Sequence, residues 1–349
     1  MLYLLGQSLQ AVFGPFRLLA SHSLLMVLGL YAGFLTTMIA VPKLLHLLPR
    51  DRGKEFAAQP EAARGKPTGT GIVFMSVFVL LSILTVPLGL RQLAILAVAL
   101  LVSVSGYLDD RSVVPWGEYS KGLIDLILAA AAGLALSWGR QMELWLPFSN
   151  AVIHVSTPVF VGLSTLLIWL SINSTNCSDG VDGLSGTLAM ISLVSLALIL
   201  YFVLGNAKVA KYLLLPHYAD GADWAIMIFT LVGCLAAYLW YNANPSRVLM
   251  GDAGSRALGF LIGVMVMNTG NPFLLFVIAG MILLNGGTGL IKVALLRFLK
   301  IRILHNTRFP LHDHARLNVN WSNSQVLLRF AIVQILLTIG LFGIFIKIR

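Results

Sequence analysis

The chain reads as apolar runs separated by short polar loops. Ten of these runs approach the roughly 17 to 25 residues that a helix needs to cross the hydrocarbon core, where each backbone polar group must be bonded within its own segment. They cover residues 24–45, 71–90, 92–107, 122–139, 157–173, 184–204, 223–241, 254–270, 272–295 and 326–347. Only Arg91 separates the second run from the third, and only Asn268 to Pro272 separates the eighth from the ninth. Residues 1–23 carry Arg17 among apolar side chains without a small-residue cleavage signature, which reads as an uncleaved segment lying in the membrane interface.

Lysine and arginine placement orients the runs. The loops after odd-numbered runs hold 14 basic residues, from Lys43, Arg50, Arg52 and Lys54 to Arg308 and Arg316, whereas the other side holds 7, including Arg91, Arg140 and Arg349. This excess assigns the odd loops to the cytoplasm and both termini to the opposite side. No internal repeat is visible, so the signature of many transporters is missing. The expected fold is an all-α integral membrane domain over 1–349 with ten transmembrane helices, both termini extracytoplasmic, and an active site on cytoplasmic loops. One of these loops, 296–325, carries His312 and His314.

Composition agrees. With 58% hydrophobic and 11% charged residues, the chain is excluded from the water-soluble globular class. A net charge of +10 raises the question of nucleic acid, but the basic residues are scattered through short loops instead of forming a stripe, so membrane orientation explains them and no nucleic-acid partner is expected. Cys177 and Cys234 fall in a loop and a span, which supports neither a disulfide nor a thiolate metal site.

The carboxylates carry the chemistry. Asp109 and Asp110 close the third run, Asp179 and Asp182 sit in Asn173-Ser-Thr-Asn-Cys-Ser-Asp-Gly-Val-Asp-Gly, and Asp252 lies in Met-Gly-Asp-Ala-Gly-Ser. All three segments come out on the cytoplasmic face, together with the Lys66-Pro-Thr-Gly-Thr-Gly loop and the His312-Asp-His314 loop. A carboxylate at the membrane boundary is costly unless paired, hydrated or metal-bound, so the cluster marks a functional site. Hard oxygen donors without thiolates favour Mg²⁺ or Mn²⁺, and Mg²⁺ held by one or two carboxylates points to phosphoryl chemistry. Glycine pairs at 69 and 71, 180 and 183, and 251 and 254 would let backbone amides approach a phosphate.

These segments resemble the polyprenyl-phosphate N-acetylhexosamine-1-phosphate transferases. The resemblance extends over nearly the whole chain and is strongest to the branch that transfers phospho-N-acetylmuramoyl-pentapeptide. It is carried by Lys66-Pro-Thr68-Gly-Thr-Gly, Leu108-Asp-Asp, Ser120-Lys-Gly-Leu-Ile, Asn173 to Leu184, Tyr241-Asn-Ala-Asn-Pro, Val248-Leu-Met-Gly-Asp-Ala-Gly-Ser and Pro310-Leu-His-Asp-His.

It implies transfer of a sugar phosphate from UDP-N-acetylmuramoyl-pentapeptide to undecaprenyl phosphate with release of UMP. The setting would be a bacterial cytoplasmic membrane, where a homodimer surrounded by membrane lipids contributes to peptidoglycan and cell-wall biogenesis. By the same resemblance Asp252 is a Mg²⁺ ligand, Asn176 and Asp179 help build the metal and pyrophosphate site, and Asp109 and Asp110 stand near the phosphates and the acceptor. Asp182 and Asn242 face the uracil, Lys66, Thr68, Lys121 and Asn173 line the substrate site, and His312 and His314 match two of three clustered histidines.

Four positions depart from the family pattern. Asp313 stands where a histidine is usual, Leu249 where an aromatic residue packs on uracil, Asn285 where an acidic residue is usual, and Leu128 where a second lysine is expected. The departures lie around the donor rather than the metal. They leave two competing expectations: a sister transferase using UDP-N-acetylglucosamine, and a catalytically inactive paralogue. An ion-coupled transporter is disfavoured because the carboxylates lie at span ends.

Overall fold

The computed structural model describes residues 1–53, 63–140, 142–146 and 152–347; Lys54 and Arg349 of the charge count lie outside them. The architecture is helical. Short α1 (Leu2–Leu9) precedes α2 (His22–Leu44), α3 (Gly71–Thr85), α4 (Leu90–Arg111) and α5 (Glu118–Ser137). Next come α6 (Thr157–Ser178), α7 (Leu184–Leu204), α8 (Gly221–Asn242), α9 (Asp252–Asn268) and α10 (Gly280–Leu299), then α11 (Leu311–Leu317) and α12 (Asn323–Lys347). Among the described residues eight helices are long and apolar enough to cross a membrane. The other two expected spans are the shorter α3, of 15 residues, and α9, of 17.

The centre of the bundle is α9. Every residue from Asp252 to Asn268 is buried, so this helix is walled by protein rather than lipid. That placement relaxes its length: a helix shielded by neighbours need not match the bilayer. Close approach sets the walls. A Cβ on Gly106 of α4 would lie 2.4 Å from the Asp252 carbonyl, so only glycine lets α4 run this near the start of α9. Gly71 and Gly254 meet in the same way, a Cβ on Gly71 falling 2.0 Å from the Gly254 nitrogen. These two therefore serve helix packing instead of the phosphate approach expected of them.

Polar stretches read as loops turn out to be helical. α6 continues through Asn173 and Asn176 to Ser178, and α4 runs to Arg111, past both aspartates. His312 and His314 ride on α11 within the expected 296–325 loop. In each case the polar side chains find partners inside the protein, so polarity does not end the helix.

A hairpin that hydropathy did not signal links α5 to α6: β1 (Met142–Trp145) pairs antiparallel with β2 (Val152–Val155), Met142 opposite Val155. Trp145 donates its indole N–H to the Thr269 carbonyl at 2.8 Å, tying the hairpin to the far end of α9.

The expected ninth run is broken. A short helix, Leu274–Ile278, stops at Ala279, and α10 starts at Gly280. Gln334 of α12 repairs the break: its Oε1 accepts from the Met281 amide at 2.8 Å, and its Nε2 donates to the Ile278 carbonyl at 2.7 Å and the Val277 carbonyl at 3.2 Å. Backbone groups freed by the break are thus satisfied by one side-chain amide, with the Ser192 hydroxyl of α7 sharing the Ile278 carbonyl at 2.7 Å.

Candidate active site

The site grows from the first turn of α9. Gly251 precedes it with φ of +69°, a conformation that favours glycine, and a Cβ there would lie 2.3 Å from an Asp110 carboxylate oxygen. The missing side chain lets Asp110 cap the helix. Its Oδ1 accepts from the Asp252 amide at 2.9 Å and its Oδ2 from the Ala253 amide at 3.0 Å. A carboxylate on the leading amides also complements the positive end of the helix dipole. Asp110 therefore joins the last turn of α4 to the start of α9.

Its neighbour faces elsewhere. Asp109 accepts from the Trp116 amide at 2.8 Å through Oδ1 and forms an ion pair with Lys121 through Oδ2. Lys121, one turn into α5, also reaches Asp252 Oδ2 at 3.0 Å. Two nearly buried carboxylates, 7% and 4% exposed as residues, thus converge on one ammonium. Ser255, three residues along α9 from Asp252, donates its hydroxyl to Asn176 Oδ1 at 2.8 Å and brings α6 to the same place. Asp179 forms the C-cap of α6, its amide bonded to the Asn176 carbonyl at 3.2 Å.

A second cluster lies alongside. Asp182 accepts from the Ser246 amide at 3.1 Å and the Ser246 hydroxyl at 2.8 Å, and Lys66 Nζ donates to that hydroxyl at 2.9 Å. Asn242 spends both ends of its amide on backbone, accepting from the Gly183 amide and donating to the Val248 carbonyl, each at 2.8 Å. It braces the Asp182 loop against the segment leading to α9. Leu249 contributes through its backbone: its amide bonds to the Pro67 carbonyl and its carbonyl accepts from Thr70, while the Thr68 amide bonds to the Pro49 carbonyl. Asn173 donates to the Trp169 carbonyl at 2.9 Å within α6.

The histidine segment closes over the Asp179–Asp182 loop. A Cβ on Gly180 would sit 2.2 Å from His312 Nε2, so the imidazole lies directly on that backbone. Asn285 Oδ1 accepts from the His312 amide at 2.9 Å and lies 3.1 Å from His312 Nδ1. An oxygen already accepting from a backbone N–H can engage Nδ1 only if that nitrogen carries the proton, which leaves Nε2 with its lone pair. Burial pushes the His312 pKa down to about 4, so the ring is neutral near pH 7. Asp313 is buried and pairs with Arg316 at 2.7 Å, so its charge is matched before any anionic substrate arrives. His314 accepts from the Arg308 amide at 3.3 Å.

Sequence reasoning passed over four participants. Asp125 and Arg256 form a fully buried ion pair behind Lys121 and Asp252, with Arg256 Nε donating to Asp125 Oδ1 at 3.0 Å. Both are charges inside long apolar runs, a signal that was present in the pattern. Ser246 and Ser255, which connect the clusters, gave no signal of their own.

A family profile described as glycosyl transferase family 4 matches residues 92–270, a stretch that holds α4 to α9 and hence both aspartate clusters. The chain is 52% identical over 344 residues to the phospho-N-acetylmuramoyl-pentapeptide-transferase of Treponema pallidum strain Nichols, covering 98% of this chain and 95% of that one. It is 29% identical to the Wolinella succinogenes protein of the same name and 28% identical to that of Helicobacter acinonychis, covering 88% of this chain and 90% of each. With aspartates, lysine and buried helix start held in one geometry inside the matched stretch, the chain belongs to glycosyl transferase family 4 and is a multi-pass membrane phospho-sugar transferase.

Proposed function

We propose that the protein transfers phospho-N-acetylmuramoyl-pentapeptide from its UDP donor to undecaprenyl phosphate, releasing UMP, at the cytoplasmic face of a bacterial inner membrane. The observation that carries the reading is the convergence of Asp109 and Asp252 on the Lys121 ammonium at the start of a buried helix. Relatives that match 88% to 98% of the chain bear the name of that reaction.

Two carboxylates already share one cationic atom, and Ser255 on the same turn of α9 holds Asn176 Oδ1; since no group of three or more His, Cys, Asp or Glu among the described residues could enclose a metal, a Mg²⁺ here would rely on substrate and water for the rest of its shell. Mg²⁺ commonly takes one or two carboxylates and completes its shell with water and substrate phosphates. Asp252 and Asp109 would hold it, with Asn176 and Asp179 beside them, and it would offset the charge of the donor pyrophosphate.

The protein's own groups do the rest by positioning. An oxygen of the lipid phosphate attacks the sugar-side phosphorus, the bond from that phosphorus to the bridging oxygen breaks, and UMP leaves with the electron pair. The acceptor is ionised near neutral pH, so no strong base is required and charge stabilisation dominates. Lys121, freed from one carboxylate, offers a cation to the phosphates. Asp109 orients the acceptor, and Asp110 keeps the start of α9 in place. The neutral His312 packs its Nε2 edge on Gly180 and so props the Asp179–Asp182 loop that faces the donor.

The test is UMP release by purified protein given undecaprenyl phosphate and UDP-N-acetylmuramoyl-pentapeptide, with Mg²⁺ and with EDTA. Lipid-dependent, Mg²⁺-dependent UMP is expected. Release only with UDP-N-acetylglucosamine would move the donor assignment to the sister reaction, and no release with either donor would leave an inactive paralogue.

A further inference from the structure

Asp125 and Arg256 stand out from the rest of the charged groups because nothing in the proposed reaction uses them, yet they sit one helical turn behind the groups that it does use. On α5, Lys121 and Asp125 are four residues apart; on α9, Asp252 and Arg256 are four residues apart. Lys121 pairs with Asp252 and Asp125 with Arg256, so the two helices run side by side in the same direction with two rungs between them. Charge alternates around the square: positive then negative on α5, negative then positive on α9. Each group is therefore attracted both across the interface and along its own helix.

The alternation specifies one register. Sliding α9 by a turn in either direction would set Asp125 against Asp252 or Lys121 against Arg256, placing like charges together away from water. The two rungs differ in exposure. The Lys121 side chain is 23% exposed and shares its charge with Asp109, so this rung can open when substrate arrives. Arg256 is 0% and Asp125 2% exposed at the side chain, so the second rung has no route to substrate. Arg256 also keeps one nitrogen, Nη1, without a hydrogen-bond partner among the described residues. A buried pair that leaves one donor unsatisfied is poorly explained by stability alone, since apolar replacements of buried pairs are often neutral or stabilising.

We infer that the Asp125–Arg256 pair is a positioning device that holds α5 and α9 in register, so that Lys121 and Asp252 return to the same relative position each time the first rung opens. The inference rests on the proposed transfer reaction for its consequence but on the two rungs for its geometry.

The experiment pairs an activity readout with one that needs no turnover. In full-length protein, the apolar double variant Asp125→Leu/Arg256→Met is expected to stay folded while kcat for UMP release falls at least tenfold, with KM for the UDP donor changed less than about threefold. The reversed pair, Asp125→Arg/Arg256→Asp, restores a cross-helix ion pair but puts like charges next to each other along each helix; it is expected to restore no activity. Lys121→Cys/Asp252→Cys, bridged in membranes by a short bismaleimide that spans the gap left by the two long side chains, should crosslink at least fivefold faster with Asp125 and Arg256 present than in the apolar background. Wild-type kcat in the apolar double, or equal crosslinking in both backgrounds, would overturn the inference. If the apolar double does not fold, Arg256→Lys, which keeps the alternation, is expected to retain kcat and Arg256→Gln to lose it; full kcat in Arg256→Gln likewise overturns the inference. A wild-type protein that releases no UMP would undo the proposed reaction and leave the crosslinking comparison to decide the register.

Discussion

Two arginine–carboxylate pairs, both within hydrogen-bond distance, lie at opposite ends of the bundle and do different things. Arg91 and Asp220 meet at 2.9 Å, each side chain 23% exposed, where α4 begins and α8 is about to begin. Asp220 also accepts from the Trp224 indole at 2.8 Å. Arg256 and Asp125 meet at 2.5 Å through Nη2 and 3.0 Å through Nε with almost no exposure, beside the candidate active site. The first pair can trade its partner for water and so is worth little to stability. The second cannot, and removing one member leaves a buried charge. Distance alone does not say whether a charge pair is an edge ornament or part of a mechanism; burial and the company it keeps do.

The largest effect should appear where carboxylates converge. Asp252→Asn and Asp109→Asn are each expected to lower turnover at least about a hundredfold, the scale of losing a principal electrostatic group. Near-normal UMP release from either purified variant would remove that side chain from the reaction and erase the contrast between the two ends.

A smaller effect concerns His312. Its folded-state pKa of about 4 lies below the ordinary value near 6.5, so the folded protein binds fewer protons than the unfolded chain between those limits. Its contribution to stability is constant above about pH 6.5 and falls by up to about 1.4 kcal/mol per pH unit as pH drops toward 4. Thermal unfolding of wild type and His312→Gln between pH 7.5 and 5 should show the steeper decline in wild type. Parallel curves would mean that the ring is not held neutral by burial.

The smallest effect belongs to the far end. Arg91→Ala or Asp220→Ala should change stability by less than about 1 kcal/mol and leave kcat within about twofold. A large loss of activity there would show that the two ends are coupled through α4.

Hydropathy made the bundle legible because a membrane helix announces itself by length, and charge made the site legible because Asp109, Asp110 and Asp252 interrupt apolar runs at their ends. Asp125 and Arg256 were hidden by the same logic: one charge inside a long apolar run is averaged away, and Arg256 belonged to neither side of the loop count. The end of α6 was misplaced because Asn173 to Ser178 look solvated in sequence, whereas Ser255 and the Trp169 carbonyl satisfy them in the fold. Asp313 departs from the usual histidine, and Arg316, one turn later on the same helix, matches its charge. Asn285 is similar: its oxygen replaces an anion with an acceptor that suits a neutral imidazole.

The Gln334 bridge bears on how the protein is made. Until the last helix emerges from the ribosome and enters the bilayer, the Met281 amide at this interruption lacks its side-chain acceptor, and the Ile278 carbonyl keeps only the Ser192 hydroxyl of α7, at 2.7 Å. The break at Ala279 would thus be completed late, by a side chain encoded about fifty positions downstream. A chain cut short before Gln334 would thus lack one helix and also leave its neighbour unfinished.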